Sequence, residues 1–113
     1  MSGEVKDKVD RVCEECIVET GIDRDTFMQL KQGIIEEGPI LNKALHCWYH
    51  RMGYYDDNGD INFQALKNDE EELRIPAVTD LMARLHECEA KGLSGPTREE
   101  TAFLITKCII LGH

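Results

Sequence analysis

Five cysteines, Cys13, Cys16, Cys47, Cys88 and Cys108, are spread along a chain of 113 residues. So high a count in so short a chain is unusual for a reducing compartment and points to staples or to metal. The count is odd, so one thiol is left over if the others pair. Whatever fold the chain takes must bring distant cysteines together, and the rest of the sequence says what kind of elements carry them.

Those elements read as helices. Around the central cysteine, Leu41, Leu45, Trp48 and Met52 recur at i, i+4, i+7 and i+11, which is one face of an α-helix. Pro39 suits its first turn and Gly53 stops it. Before it, Val5, Val9, Val12 and Cys16 give an amphipathic helix from Glu4 to Thr20, ended by Gly21. Asp23 begins a shorter second helix with Phe27, Leu30 and Ile34 on its buried side, and Gly33, Gly38 and Pro39 break the chain after it. Beyond Gly53, the stretch from Tyr54 to Phe63 is rich in turn formers, with Asn58-Gly59 the strongest signal. Asn62 then caps a fourth helix, Phe63 to Leu73; Pro76 opens a fifth with Val78, Leu81, Leu85 and Cys88 in line; and Thr97-Arg98-Glu99-Glu100 is a capping box that starts a sixth. No segment alternates with period two. The sequence therefore predicts an all-α fold, one domain over residues 1–113, built as a bundle of about six helices without repeats or linkers.

Charge narrows the partners. Thirteen basic against 22 acidic side chains leave a net charge of −9, which argues against nucleic acid and against an anionic membrane surface. No apolar run approaches the roughly 18 residues of a membrane span, so no membrane insertion is expected. The start, Met1-Ser2-Gly3-Glu4-Val5-Lys6, lacks an apolar signal core, which taken literally means cytosolic but equally suits a start codon placed before a mature secreted chain. An acidic, soluble monomer is the simplest expectation.

Three chemistries merit weighing against plain stapling. Cys13-Glu14-Glu15-Cys16 has dithiol spacing, but it sits late in a helix and encloses two glutamates, where a thiolate is disfavoured. Cys13, Cys16, Cys47 and His50 make a conceivable Cys3His zinc set and hence a small helical zinc-binding interaction protein; Cys88 and Cys108 would then stay unexplained. The loop around Gly59 has the spacing of a calcium loop, yet Tyr54 and Ala65 stand where acidic ligands are required, so a capped turn explains it better. No nucleophile motif is present, and His46, His50, His86 and His113 lie on helix flanks or at the end, so no catalytic residue and no enzyme activity are expected. What remains is a disulfide framework.

Cys16-Ile17-Val18-Glu19-Thr20-Gly21-Ile22, the positions of Cys47, Cys88 and Cys108, and the turn from Met52-Gly53-Tyr54 to Gly59-Asp60 together resemble the insect odorant-binding proteins of the pheromone and general odorant-binding family. The resemblance covers the whole chain. Its usual pattern has six cysteines paired first to third, second to fifth and fourth to sixth. Cys16, Cys47, Cys88 and Cys108 fit the first, third, fourth and sixth places, whereas Lys43 and Glu99 stand at the second and fifth. That joint loss is how the four-cysteine "minus-C" subgroup differs.

The resemblance implies disulfides Cys16–Cys47 and Cys88–Cys108, a free Cys13 on the inner face of the first helix, and a central apolar cavity. It implies a carrier secreted into sensillar lymph or haemolymph that holds a small hydrophobic molecule, with no cofactor and no reaction, and with a membrane receptor as a further partner. Val9, Trp48, Met52, Leu66, Leu81, Leu85, Phe103 and Ile110 are the wall residues it suggests, and Tyr49 and Tyr54 the polar contacts. Periodicity alone does not show the cavity, because apolar stripes look the same whether they meet each other or a ligand. Lys43 and Glu99 are expected near each other as an ion pair in place of the missing bridge. Ile109 to His113 is too short a tail to act as the cavity plug that longer members carry.

Overall fold

Seven α-helices and one 3-10 turn account for most of the chain in the computed structural model, which describes residues 3–113. Met1 and Ser2, on which the start-codon reading rests, lie outside the described residues. Helix α1 spans Glu4–Thr20, and Gly21, in the left-handed region at φ 74°, ends it by donating to the Ile17 carbonyl. Helix α2, Arg24–Met28, is capped by the Asp23 carboxylate on the Thr26 N–H. A 3-10 turn, Gln29–Gln32, follows it directly. Helix α3 is Pro39–Met52, with Pro39 in its first turn and Gly53 closing it. Helices α4, Phe63–Asn68, and α5, Glu70–Leu73, lead to α6, Leu81–Ala90, and α7, Arg98–Leu111.

The bundle is organised around α7. Ala102, Phe103, Ile105, Thr106, Cys108, Ile109 and Ile110 bury it almost all the way round, the mark of a helix enclosed by others. Helix α3 packs against it more extensively than any other two elements pack, and the opposite flank of α3 lies on α1; α6 covers another side of α7. Two disulfides lock the flanks: Cys16–Cys47 joins α1 to α3, and Cys88–Cys108 joins α6 to α7, each with its Cα atoms 5.9 Å apart. Loops of this length are worth about 3 to 4 kcal/mol apiece by the chain-entropy model. Cys13 remains a free, buried cysteine.

Several sequence expectations shift. The second helix stops at Met28 and tightens into the 3-10 turn, so Ile34 falls beyond Gly33 and is half exposed rather than buried. The fourth helix is broken at Asp69, whose carboxylate accepts the Tyr54 hydroxyl at 2.7 Å. The run of four acidic residues from Asp69 to Glu72 gives the backbone little reason to stay continuous there. The fifth begins at Leu81, not Pro76. Pro76 lies in a turn closed by Val78 N–H to the Ile75 carbonyl, and Asp80 is the true cap, accepting from Ala83 N–H at 3.0 Å. The loop after α3 is a capped turn: Asp56 Oδ1 accepts from the N–H groups of Asn58 and Asp60, and Tyr55 and Ile61 form one isolated antiparallel bridge.

Candidate functional site

Between the helices lies a cavity of about 100 Å³. Helix α1 contributes Val9 and Cys13, and α2 with the 3-10 turn contributes Phe27, Met28, Leu30 and Lys31. Helix α3 presents Leu45, Trp48 and Tyr49; Leu66, Leu73 and Ile75 come from α4, α5 and the turn beyond. Leu81 and Leu85 of α6 and Thr106, Ile109 and Ile110 of α7 complete the wall. Met28, Lys31, Trp48 and Ile75 are the only half-buried members, so they form the mouth; the others are buried. An apolar cavity of roughly 150 Å³ stays dry and admits benzene, so this one suits a compact molecule as it stands.

Polar groups in the wall are few. Tyr49 Oη and Thr106 Oγ1 are 2.9 Å apart, buried where α3 meets α7. Burial pushes the Tyr49 phenol well above its ordinary range, which keeps its proton on and makes it a hydrogen-bonding group rather than a base. Burial likewise raises the Cys13 thiol, with the Lys31 charge offsetting only part of the effect. A thiol so placed is a small apolar wall group and a poor nucleophile. Trp48 stacks edge-on to Tyr49 and leans on Tyr54, at ring-centroid distances of 5.1 and 5.5 Å, so its indole is held at the mouth by two other rings.

Of the ten wall positions suggested by the sequence, seven come together here: Val9, Trp48, Tyr49, Leu66, Leu81, Leu85 and Ile110. Met52, Tyr54 and Phe103 are buried but do not reach the cavity. Tyr54 instead turns its hydroxyl to Asp69. Phe27, Leu30 and Leu45 were legible as stripe residues without being assigned to the wall, and Ile109 lies on a helix that shows no stripe. Met28, Lys31, Leu73, Ile75 and Thr106 were not legible in this way, although Thr106 carries a readable signal as the one hydroxyl in the largely apolar stretch from Ala102 to Ile110.

The zinc set does not form. Cys16 and Cys47 are bonded to each other, which removes two of the four ligands. Nor does the expected ion pair: Lys43 and Glu99 border one open polar groove from α3 and α7, but no salt bridge joins them among the described residues. An exposed pair of this kind gains at most about 1 kcal/mol against the entropy of two long side chains. In that groove it is Arg51 that pairs, with Glu15 and Glu19 of α1, and so reinforces the α1–α3 contact. His46, also in the groove, shares a 2.7 Å hydrogen bond between Nδ1 and the Tyr55 hydroxyl.

Comparison with known proteins agrees with this architecture. The profile of the PBP/GOBP family matches residues 1–111. Among characterised proteins, the B1 protein of Tenebrio molitor is 26% identical over 97 residues, covering 85% of this chain and 71% of that protein. The B2 protein of the same beetle is 25% identical over 97 residues, covering 85% of this chain and 72% of its own. No solved structure matches the chain significantly. With a helical bundle, two disulfides and a family match along nearly its full length, the chain belongs to the PBP/GOBP family.

Proposed function

We propose that this protein is a carrier that reversibly binds a small hydrophobic molecule, an odorant, pheromone or other lipophile, and transports it in extracellular fluid without chemical change. The observation that carries the reading is the apolar cavity lined by all seven helices and the 3-10 turn. Binding there draws on burial of ligand surface at about 25 cal/mol per Å², with a few polar groups left to orient it. Val9, Trp48, Tyr49, Leu66, Leu81, Leu85 and Ile110 are the wall residues we assign to ligand contact, with Tyr54 behind Trp48.

Secretion is part of the same reading and is supported by two disulfides that suit an oxidising compartment. Among the described residues no helix is long and apolar enough to cross a membrane. Lys43 and Glu99, at the places of the second and fifth cysteines, support assignment to the four-cysteine "minus-C" subgroup. A monomer that delivers its ligand to a membrane receptor completes the proposal. Native mass spectrometry of the purified protein tests it: a co-purified or added lipophile bound one to one supports a carrier, whereas a protein that takes up none across a broad panel of lipophiles does not act as one.

A further inference from the structure

Tyr49 and Thr106 bring two hydroxyl groups to one wall of the cavity in a buried 2.9 Å contact. Each hydroxyl has one proton to give and lone pairs to accept. The contact uses one of the two protons, whichever group donates. A helical threonine usually disposes of its proton on the carbonyl four residues back, as Thr20 does on Cys16 at 2.7 Å. Among the described residues no such bond runs from Thr106, and none runs from Tyr49 to a carbonyl. The rest of the cavity wall offers no oxygen acceptor: it is apolar apart from the Trp48 indole and the Lys31 ammonium, which only donate, and the Cys13 thiol, a weak acceptor.

A buried donor without an acceptor is destabilising, and native structures rarely leave one. A trapped water would find only these two hydroxyls as partners, the bottom of the usual range of two to four, and a ligand acceptor that displaces it meets the same donor. We infer that the Tyr49–Thr106 pair is the polar anchor of the cavity, and that its preferred ligand is a small uncharged molecule with one hydrogen-bond acceptor, such as a ketone, ester or ether oxygen. A hydrocarbon would leave the donor unmet. A carboxylate would carry its charge into an apolar wall whose one charged residue, Lys31, sits at the mouth on the 3-10 turn. The inference rests on the carrier reading and specifies its ligand class.

The test uses the full chain with both disulfides intact and three probes of similar size: cyclopentanone, methylcyclopentane and butanoate. Binding is followed by the NMR shift of the Trp48 indole N–H. In the Tyr49→Phe, Thr106→Val double variant, cyclopentanone is expected to bind about tenfold more weakly, with methylcyclopentane changed by less than about twofold; either single variant keeps one hydroxyl proton for the ligand and most of the ketone affinity. Equal loss for ketone and alkane overturns the inference, as does tighter binding of butanoate than of cyclopentanone to the wild type. Independently of any variant, the carbonyl stretch of bound cyclopentanone should fall below its value in an alkane solvent, and an unshifted band overturns the inference even if the double variant fails to fold. If neither ring compound binds the wild type but other lipophiles do, the ligand class is wrong and the carrier reading stands; if nothing binds, both fall.

Discussion

Tyr49 of α3 and Thr106 of α7 meet hydroxyl to hydroxyl, 2.9 Å apart and buried, at the most extensive helix contact in the bundle. Neither disulfide joins these two helices, and packing and a hydrogen bond hold them together. Tyr49→Phe leaves the Thr106 hydroxyl buried without its partner. The expected cost is about 1 to 2 kcal/mol of unfolding free energy, read as a lower urea midpoint at unchanged slope. A midpoint equal to wild type would mean that the contact contributes nothing.

The two disulfides should differ little in what they contribute. Replacing Cys16 and Cys47 by serine, or Cys88 and Cys108, is expected to lower stability by roughly 3 to 4 kcal/mol in each case. Under denaturing, non-reducing conditions one thiol should titrate, that of Cys13, while the native protein should react slowly because Cys13 is buried. Five titrating thiols would contradict the bonded framework.

A covalent tie between α3 and α7 should stiffen the site. Lys43 and Glu99 face one groove from α3 and α7, so the Lys43→Cys, Glu99→Cys double variant, once oxidised, ties the bundle's central helix to its largest neighbour. Amide exchange in α3 and α7 is expected to slow relative to the reduced form of the same variant, and ligand exchange to slow with it. Equal protection in both forms would show that packing already holds these helices as firmly as a covalent bridge.

Acid should loosen the loop that follows α3. Burial holds the His46 imidazole below its ordinary value of 6.5, with His50 and Arg98 adding to the effect and Glu99 opposing it. A group depressed in the folded state contributes stability that is complete above its unfolded pKa and lost as pH falls through the folded one. Stability should therefore decline as pH drops below about 6.5, with the loss centred on the hydrogen bond between His46 and Tyr55. In His46→Gln the part of the pH slope between neutral and mildly acid conditions should shrink, and an unchanged slope would assign it elsewhere.

Helix content and the inward faces were legible because period 3.6 and the caps Asp23, Asn62 and Thr97 are local signals, and each of these caps bonds its helix as the sequence indicates. What the sequence hid was tertiary. Trp48 and the stripe around it drew attention to α3, yet the enclosed helix is α7, whose apolar residues lie on every side and so give no stripe to read. Asp69 breaks a helix because Tyr54, fifteen residues earlier, takes its carboxylate, a contact without a local trace. Tyr54, Met52 and Phe103 have the same apolar character as the true wall residues, and only the packing separates a side chain that reaches the cavity from one that backs it. The mouth residues Met28, Lys31 and Ile75 lie in short or irregular segments where periodicity says nothing.

The most direct test of the carrier reading is displacement of an apolar fluorescent probe, measured in parallel for the wild type and for a variant with the cavity filled. Val9→Phe adds a ring to a wall residue that is 5% exposed, at an overpacking cost of about 1 to 3 kcal/mol that a thermal melt will register. Saturable one-to-one binding to the wild type, weakened at least about tenfold in a folded Val9→Phe protein, is the expected result. Probe binding of equal strength in both proteins would place the ligand outside this cavity and contradict the central claim.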